Sequence, residues 1–154
     1  MQVERRLVEL GIVLPKLPTP IGNFVDAVQV DSLVFLAGKG SRTLDGVHIP
    51  GRVGEHVTTA EASGHARLIG LYTLAVLRET LGDLDRVKHI VKVLGLVNAV
   101  PDFSEQPKVI NGFSDLMVEV FGDKGRHARS AVGAGSLPGG ITVEIEAIVQ
   151  VENR

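Results

Sequence analysis

The sequence predicts an α+β fold, a mixed β-sheet with helices layered on one of its faces. Two patterns carry that prediction. The stretch 141–151 alternates without a slip: Ile141, Val143, Ile145, Ala147, Val149 and Val151 fall on one side, Thr142, Glu144, Glu146, Ile148 and Gln150 on the other. That is the period-two pattern of a strand with one buried face. The stretches 58–81 and 101–121 instead repeat their apolar residues every three or four positions, as amphipathic helices do. The order in which strands and helices alternate completes the architecture.

Residues 3–10 place Val3, Leu7, Val8 and Leu10 among charged residues, with Gly11 behind them, and predict a short helix with a glycine stop. Pro15, Pro18 and Pro20 then force an extended lead-in, because proline disfavours helix at itself and just before. Residues 24–30 and 33–37, split by Asp31-Ser32, predict a hairpin with a tight turn. The glycine- and proline-rich stretch 38–54 predicts a loop long enough to have a functional or covering role. Thr58 and Glu61 form a capping-box pattern at the start of the longest helix, which carries Leu71, Leu74, Leu77 and Leu81 and stops at Gly82.

Residues 86–97, dense in Val and Ile, predict the next strand. A helix over 101–121 follows, with Asp102 or Ser104 as its cap and Val109, Ile110, Phe113, Met117 and Phe121 as its apolar stripe. After a loop at 122–125, residues 129–135 predict a strand. Leu137-Pro138-Gly139-Gly140 predicts the turn that folds it against 141–151 as a second hairpin. After the N-terminal helix the order is β-β-α-β-α-β-β. That hairpin would set Arg129 beside the carboxylates of Glu144 and Glu146, with the small residues Ala131, Gly133, Ala134 and Gly135 leaving room for a ligand.

At 154 residues the chain is read as one domain, 1–154, with 1–19 as helix and lead-in. Hydrophobic content of 44% with 22% charged residues excludes a disordered chain. A net charge of −2 gives no electrostatic footprint for a nucleic-acid backbone, and 4% aromatic residues leave few rings to stack on bases. The absence of Cys excludes disulfides, zinc–thiolate sites and a thiol nucleophile. No apolar run is long enough to span a membrane, and the start MQVERR lacks the pattern of a signal peptide, so a cytoplasmic location is expected. His48, His56, His65, His89 and His127 show no metal-ligand spacing, and no Ser or Cys partner for any of them is identifiable.

An arginine followed by Ser, a small residue and Val, then Leu-Pro, then Val-Glu-Ile-Glu-Ala-Ile resembles the C-terminal signature of the RidA/YjgF family. The spacing agrees, since Arg129 and Glu144 lie 15 positions apart (129 to 144), as the family's carboxylate-binding arginine and water-orienting glutamate do. The resemblance runs from about residue 20 to the C-terminus and is strongest over 128–148. It implies a chorismate-mutase-like, homotrimeric protein with ligand sites in the clefts between subunits. The implied chemistry is deamination of reactive imines and enamines, with no metal and no organic cofactor, because an imine is already electrophilic.

Carried over residue by residue, the resemblance makes Arg129 the grip on a substrate carboxylate and Glu144 the group that orients water. From spacing alone, Arg129 reads equally well as a strand arginine paired with Glu144 or Glu146. Asn111 aligns with the family's Asn at the start of the second helix, with one residue more than usual before Arg129. Phe24 stands where the family has Tyr, and lines the pocket without donating a hydroxyl. Ala37-Gly38-Lys39 stands where the family often has Ser-Gly-Gln, which leaves the Gly38 N–H as a ligand contact. Ala131 replaces a frequent Cys. Lys39 is new at this place, and its plain reading is a flexible surface lysine. His127 is an additional acid/base candidate, projecting beside Arg129.

The resemblance therefore implies a protein that binds a small carboxylate-bearing imine or enamine and hydrolyses it to a 2-oxo acid and ammonia. A non-catalytic protein that senses a 2-oxo acid in the same cleft is the alternative. Endoribonuclease activity is the least favoured, for want of a basic patch.

Overall fold

The computed structural model describes residues 2–153. The chain runs α1 (Gln2–Glu9), β1 (Ala27–Val30), β2 (Leu33–Leu36), β3 (Lys39–Gly40), α2 (Thr59–Leu81), β4 (Val87–Asn98), α3 (Gln106–Phe121), β5 (Ala128–Ala134) and β6 (Val143–Val151). One sheet contains every strand, in the order β1-β2-β6-β4-β5, with β3 added to β6. Helices α2 and α3 cover one face. There, Val93 and Val97 of β4 and Val143, Ile145, Ala147, Val149 and Val151 of β6 are buried, as the alternation predicts.

The first hairpin forms as expected. Val30 pairs with Leu33 across Asp31-Ser32, and Asp31 takes a left-handed φ of 52° to close the turn. The cap of α2 is half of the expected box: the Thr58 hydroxyl oxygen accepts the Glu61 N–H at 3.1 Å. Such a cap contributes about 1 kcal/mol. At the other end Gly82 adopts φ 76° and donates its N–H to Arg78 O, a stop open to glycine at little steric cost. Leu74, Leu77 and Leu81 are buried, whereas Leu71 lies at the rim of the core.

Three expectations are corrected. First, β5 and β6 do not form a hairpin. The twelve-residue β4 lies between them, parallel to β5 and antiparallel to β6. The parallel pairing is reached through α3, which supplies the crossover that such a pair needs. The Pro138–Gly140 segment is a 3₁₀ turn in a connection that passes over the end of β4.

Second, α3 begins at Gln106, not at 101, and neither Asp102 nor Ser104 caps it. Glu105 occupies the cap position, but its side chain bonds Thr59 and Lys108 and not the helix backbone, and a proline sits in the first turn, where no N–H is required. Residues 99–103 are instead tied to the 53 region by the Val53–Ala99 bridge and by Val100 N–H to Val53 O.

Third, the 38–54 loop is partly sheet, because Lys39 and Gly40 pair with Ile145 and Glu144. The loop is pinned through buried polar groups. Ser41 and Thr142 are fully buried and share a hydrogen bond of 3.1 Å. The Ser41 hydroxyl donates to Ile49 O, and His65 Nδ1 lies 2.8 Å from the Thr142 hydroxyl. Each of these buried groups has a partner, so the loop is held firmly beside the start of β6.

Helix α1 docks near α3. The N–H groups of Gln2 and Val3 donate to the Asp85 carboxylate, Arg6 Nε donates to Glu119 O, and Leu7 is buried. No helix among the described residues is long and apolar enough to cross a membrane.

The second face of the sheet has no covering layer among the described residues. Val28 and Val30 of β1, Phe35 of β2 and Val132 of β5 are 51, 54, 42 and 43% exposed. Phe35 lies between Val28 and Ile148 in one cross-strand row. Glu144 and Glu146 project from this same open face, opposite to the buried residues of β6.

Candidate functional site

The candidate residues fall into two clefts. The first, about 270 Å³, includes Phe24, Asp26, Gly38, Lys39, Tyr72 and Glu144 in its lining, with Arg42 and His48 at its wall. It forms because β3 lays Gly40 against Glu144 and turns Gly38 toward the carboxylate. A Cβ at Gly38 would lie 3.0 Å from Glu144 Oε2, so glycine permits this approach. Phe24 is half-exposed over the cleft, not packed in the core. Burial raises the Glu144 pKa above its ordinary value, and the neighbouring charge of Glu146 raises it further.

Lys39 is not a flexible surface lysine. Its ammonium pairs with the Asp26 carboxylate, and the two side chains are only 17 and 19% exposed. Pairing across the first hairpin explains this: Ala27 faces Leu36, and Ala37 N–H donates to Asp26 O at 2.9 Å. Asp26 stands opposite Ala37, and Lys39 lies two residues beyond that position, within reach of the carboxylate. Ala37 is thus a framework residue and is not among the residues lining either cleft. Tyr72 lines the first cleft from α2, but its hydroxyl donates to Thr43 O at 2.6 Å and does not replace the hydroxyl missing at Phe24.

The second cleft, about 260 Å³, is lined by Asn111, Ser114, Asp115 and Val118 of α3, and by Arg126, His127 and Arg129. Strand β5 is an edge strand, and Arg129, opposite the buried Val93, points to the helix side of the sheet. There Arg129 Nη1 donates to Asn111 Oδ1 at 2.8 Å and to Ser114 Oγ at 3.1 Å. No carboxylate among the described residues pairs with it, so the reading as an ion pair with Glu144 or Glu146 does not hold. Ala131 shares the face of Arg129 but packs against the core beside Gly95, and it too is absent from both linings.

His127 does have a serine partner. Its Nε2 is 2.8 Å from Ser114 Oγ and its Nδ1 is 2.7 Å from Gly125 O. Burial holds its pKa below the ordinary histidine value; the Gly125 bond opposes that shift, while the charges of Arg129 and His89 add to it. Ser114 was legible in principle, since it lies three residues after Asn111 and therefore on the same helix face. Asp26 was legible only through the register of the hairpin.

Arg129 and Glu144 are not adjacent within one chain. They sit two strands apart and three residues out of register, on opposite faces, which separates their Cα atoms by about 14 Å. Among the described residues, no group of three His, Asp or Glu comes together to hold a metal ion.

A family model described as "YjgF/chorismate mutase-like, putative endoribonuclease" matches residues 4–141. The chain is 40% identical over 153 residues to Protein TCP17 of Trypanosoma cruzi, covering 99% of this chain and 96% of that one. It is 30% identical over 146 residues to the 2-iminobutanoate/2-iminopropanoate deaminase of Dermatophagoides farinae, covering 90 and 93%. Among solved structures, protein Atu1372 of Agrobacterium tumefaciens, of unknown function, superimposes with a TM-score of 0.88 at 39% identity, over 98% of this chain and 94% of that one.

Proposed function

Because the chain belongs to the YjgF/chorismate mutase-like family, we propose that it acts as a homotrimer in which the Arg129 cleft of one subunit closes on the Glu144 cleft of the next. The joined site binds a small carboxylate-bearing imine or enamine and hydrolyses it to a 2-oxo acid and ammonia. One observation carries this reading. Arg129 and Glu144 each sit in a formed cleft, and within one chain they face opposite sides of the sheet, so a site that used both would need a second copy. The exposed Val28, Val30, Phe35 and Val132 supply an apolar surface for that association.

Within the site, Arg129 holds the substrate carboxylate. Both hydrogens of its Nη1 are committed to Asn111 and Ser114, which leaves the Nε and Nη2 edge as the free fork for two parallel bonds. Glu144 accepts a proton from water as the water oxygen bonds to the imine carbon. The imine nitrogen takes up a proton to give a carbinolamine; the hydroxyl proton then passes to that nitrogen as the carbonyl forms, the C–N bond breaks, and ammonia leaves. A carboxylate with a raised pKa suits this traffic, because it accepts and returns a proton nearer to neutrality. Gly38 lines the wall beside the reacting carbon, and Phe24 and the Lys39–Asp26 pair shape the space for the substrate side chain.

The test is ammonia release from imines generated in situ from several amino acids, alongside calorimetry with 2-oxo acids and light scattering. We expect turnover above buffer, and a particle of three times 16.4 kDa at micromolar concentration. Binding without turnover identifies a 2-oxo acid sensor instead. A monomer with neither binding nor turnover ends both readings.

A further inference from the structure

Arg129 is held by a relay that extends beyond its direct partners. Gly125 O can only accept, so His127 Nδ1 must donate to it. In the neutral ring the other nitrogen, Nε2, is then an acceptor, and the Ser114 hydroxyl donates to it at 2.8 Å. With its hydrogen so directed, Ser114 Oγ turns its lone pairs elsewhere, and one receives Arg129 Nη1–H at 3.1 Å. Asn111 Oδ1, three residues earlier on the same face of α3, receives the second Nη1 hydrogen at 2.8 Å. The guanidinium plane is thereby fixed from one edge only.

From this geometry we infer that Ser114 and His127 are positioning residues for the Arg129 carboxylate grip: His127 fixes the direction of the Ser114 hydroxyl, and Ser114 fixes the rotation of the guanidinium. The inference rests on the reading of Arg129 as the carboxylate-binding residue. It gives His127 a different role from a direct acid or base, because both of its ring nitrogens are already engaged.

The surroundings of His127 agree. Its ring meets Phe113 of α3 edge-on, with centroids 6.3 Å apart. Burial first, and the charges of Arg129 and His89 in addition, favour the neutral ring that the relay needs, against the opposing effect of the Gly125 bond. A protonated ring would place a second donor on Ser114 Oγ, opposite Arg129. Ser114→Ala should leave α3 intact, because Ala is a better helix former than Ser.

The experiment measures binding of pyruvate and 2-oxobutanoate by calorimetry to wild type, Ser114→Ala, Ser114→Thr, Arg129→Ala and the Ser114→Ala/Arg129→Ala double variant. Ser114→Ala is expected to weaken binding about tenfold, through the loss of one charge-assisted bond that orients the fork. Ser114→Thr, which keeps the hydroxyl, should recover most of that loss. In the double variant Ser114→Ala should add nothing to the cost of Arg129→Ala, since a positioning residue has no effect once its client is gone. Additive losses, or Ser114→Ala binding like wild type, would overturn the inference.

Nitrogen NMR provides a readout independent of any ligand. His127 should show a protonated Nδ1 and an acceptor Nε2, and the Arg129 side-chain N–H signals should lose their rigidity in Ser114→Ala and in His127→Ala. If wild type binds neither acid, the carboxylate reading fails by itself, and these signals still decide the relay. An Nε2–H tautomer, or an Arg129 equally rigid without Ser114, would refute it.

Discussion

Arg129 and Glu144 project from opposite faces of one sheet, and their clefts differ in what surrounds the charge. Among the described residues, Arg129 is held by neutral oxygens, those of Asn111 and Ser114. Its positive charge is therefore oriented but not cancelled. Glu144 is treated in the opposite way. It is partly buried, a second carboxylate stands two residues away, and of the two cations lining its cleft Lys39 is taken by Asp26 while Arg42 donates to Gly46 O at 3.3 Å. A cation left unneutralised is suited to hold an anion. A carboxylate pushed toward its neutral form is suited to move a proton. The contrast supports the proposed division, with binding in one cleft and chemistry in the other.

The largest effect expected from this division is in turnover. Glu144→Gln should lower ammonia release by roughly 100-fold while 2-oxo acid affinity changes little. An affinity loss as large as the rate loss would make Glu144 a binding residue and dissolve the contrast. If each site draws on two subunits, as proposed, mixing Glu144→Gln with Arg129→Ala chains should restore about a quarter of the sites in randomly reassembled trimers. No recovery after verified subunit exchange would place both residues in one subunit's site, against the proposed pairing.

The next effect is in binding. Arg129→Ala should weaken 2-oxo acid binding by at least about tenfold, since charge-assisted bonds contribute roughly 1.5–3 kcal/mol each. Arg129→Lys should recover little, because an ammonium cannot reproduce the planar fork. Calorimetry decides this, and a lysine variant that binds normally would show that charge suffices without geometry. A smaller loss, several-fold in kcat with KM nearly unchanged, is expected for Gly38→Ala, whose new Cβ would press on Glu144 Oε2 from 3.0 Å. A change confined to KM would instead place Gly38 on the binding side.

These clefts were unequally legible in the sequence. The alternation of 141–151 placed Glu144 on the face opposite the core, and the hydrophobic periodicity located α2 and most of α3. The partner of β5 was not legible, because a turn sequence such as Leu137-Pro138-Gly139-Gly140 favours a reversal without saying which strand is met next. The length and apolar density of β4 decided that, through burial on the helix face. The misplaced hairpin would have joined Arg129 and Glu144 within one chain, whereas the sheet order sets them two strands apart on opposite faces. Lys39 was misread for a related reason, since its partner Asp26 is near only once the hairpin register is followed outward. Ser114, on the Asn111 face of α3, needed the position of β5 before it meant anything.

The smallest predicted effect tests why Glu144 is raised. Burial is the larger cause and the charge of Glu146 the second. If ionised Glu144 is the working form, ammonia release rises with pH on an acidic limb that lies above the ordinary carboxylate value of 4.5. Glu146→Gln removes the repulsion and leaves the burial. The limb should therefore move to lower pH and stop short of 4.5. The stability effect has a definite sign. A carboxyl whose folded pKa exceeds its unfolded one binds protons more tightly when folded, so folding is favoured as pH falls through the folded pKa, and ionised Glu144 opposes folding above it. Relieving that opposition should leave Glu146→Gln at least as resistant to urea as wild type at pH 7. A variant that unfolds earlier, with its acidic limb unmoved, would mean that Glu146 makes a structural contact across subunits and that burial alone sets the pKa of Glu144.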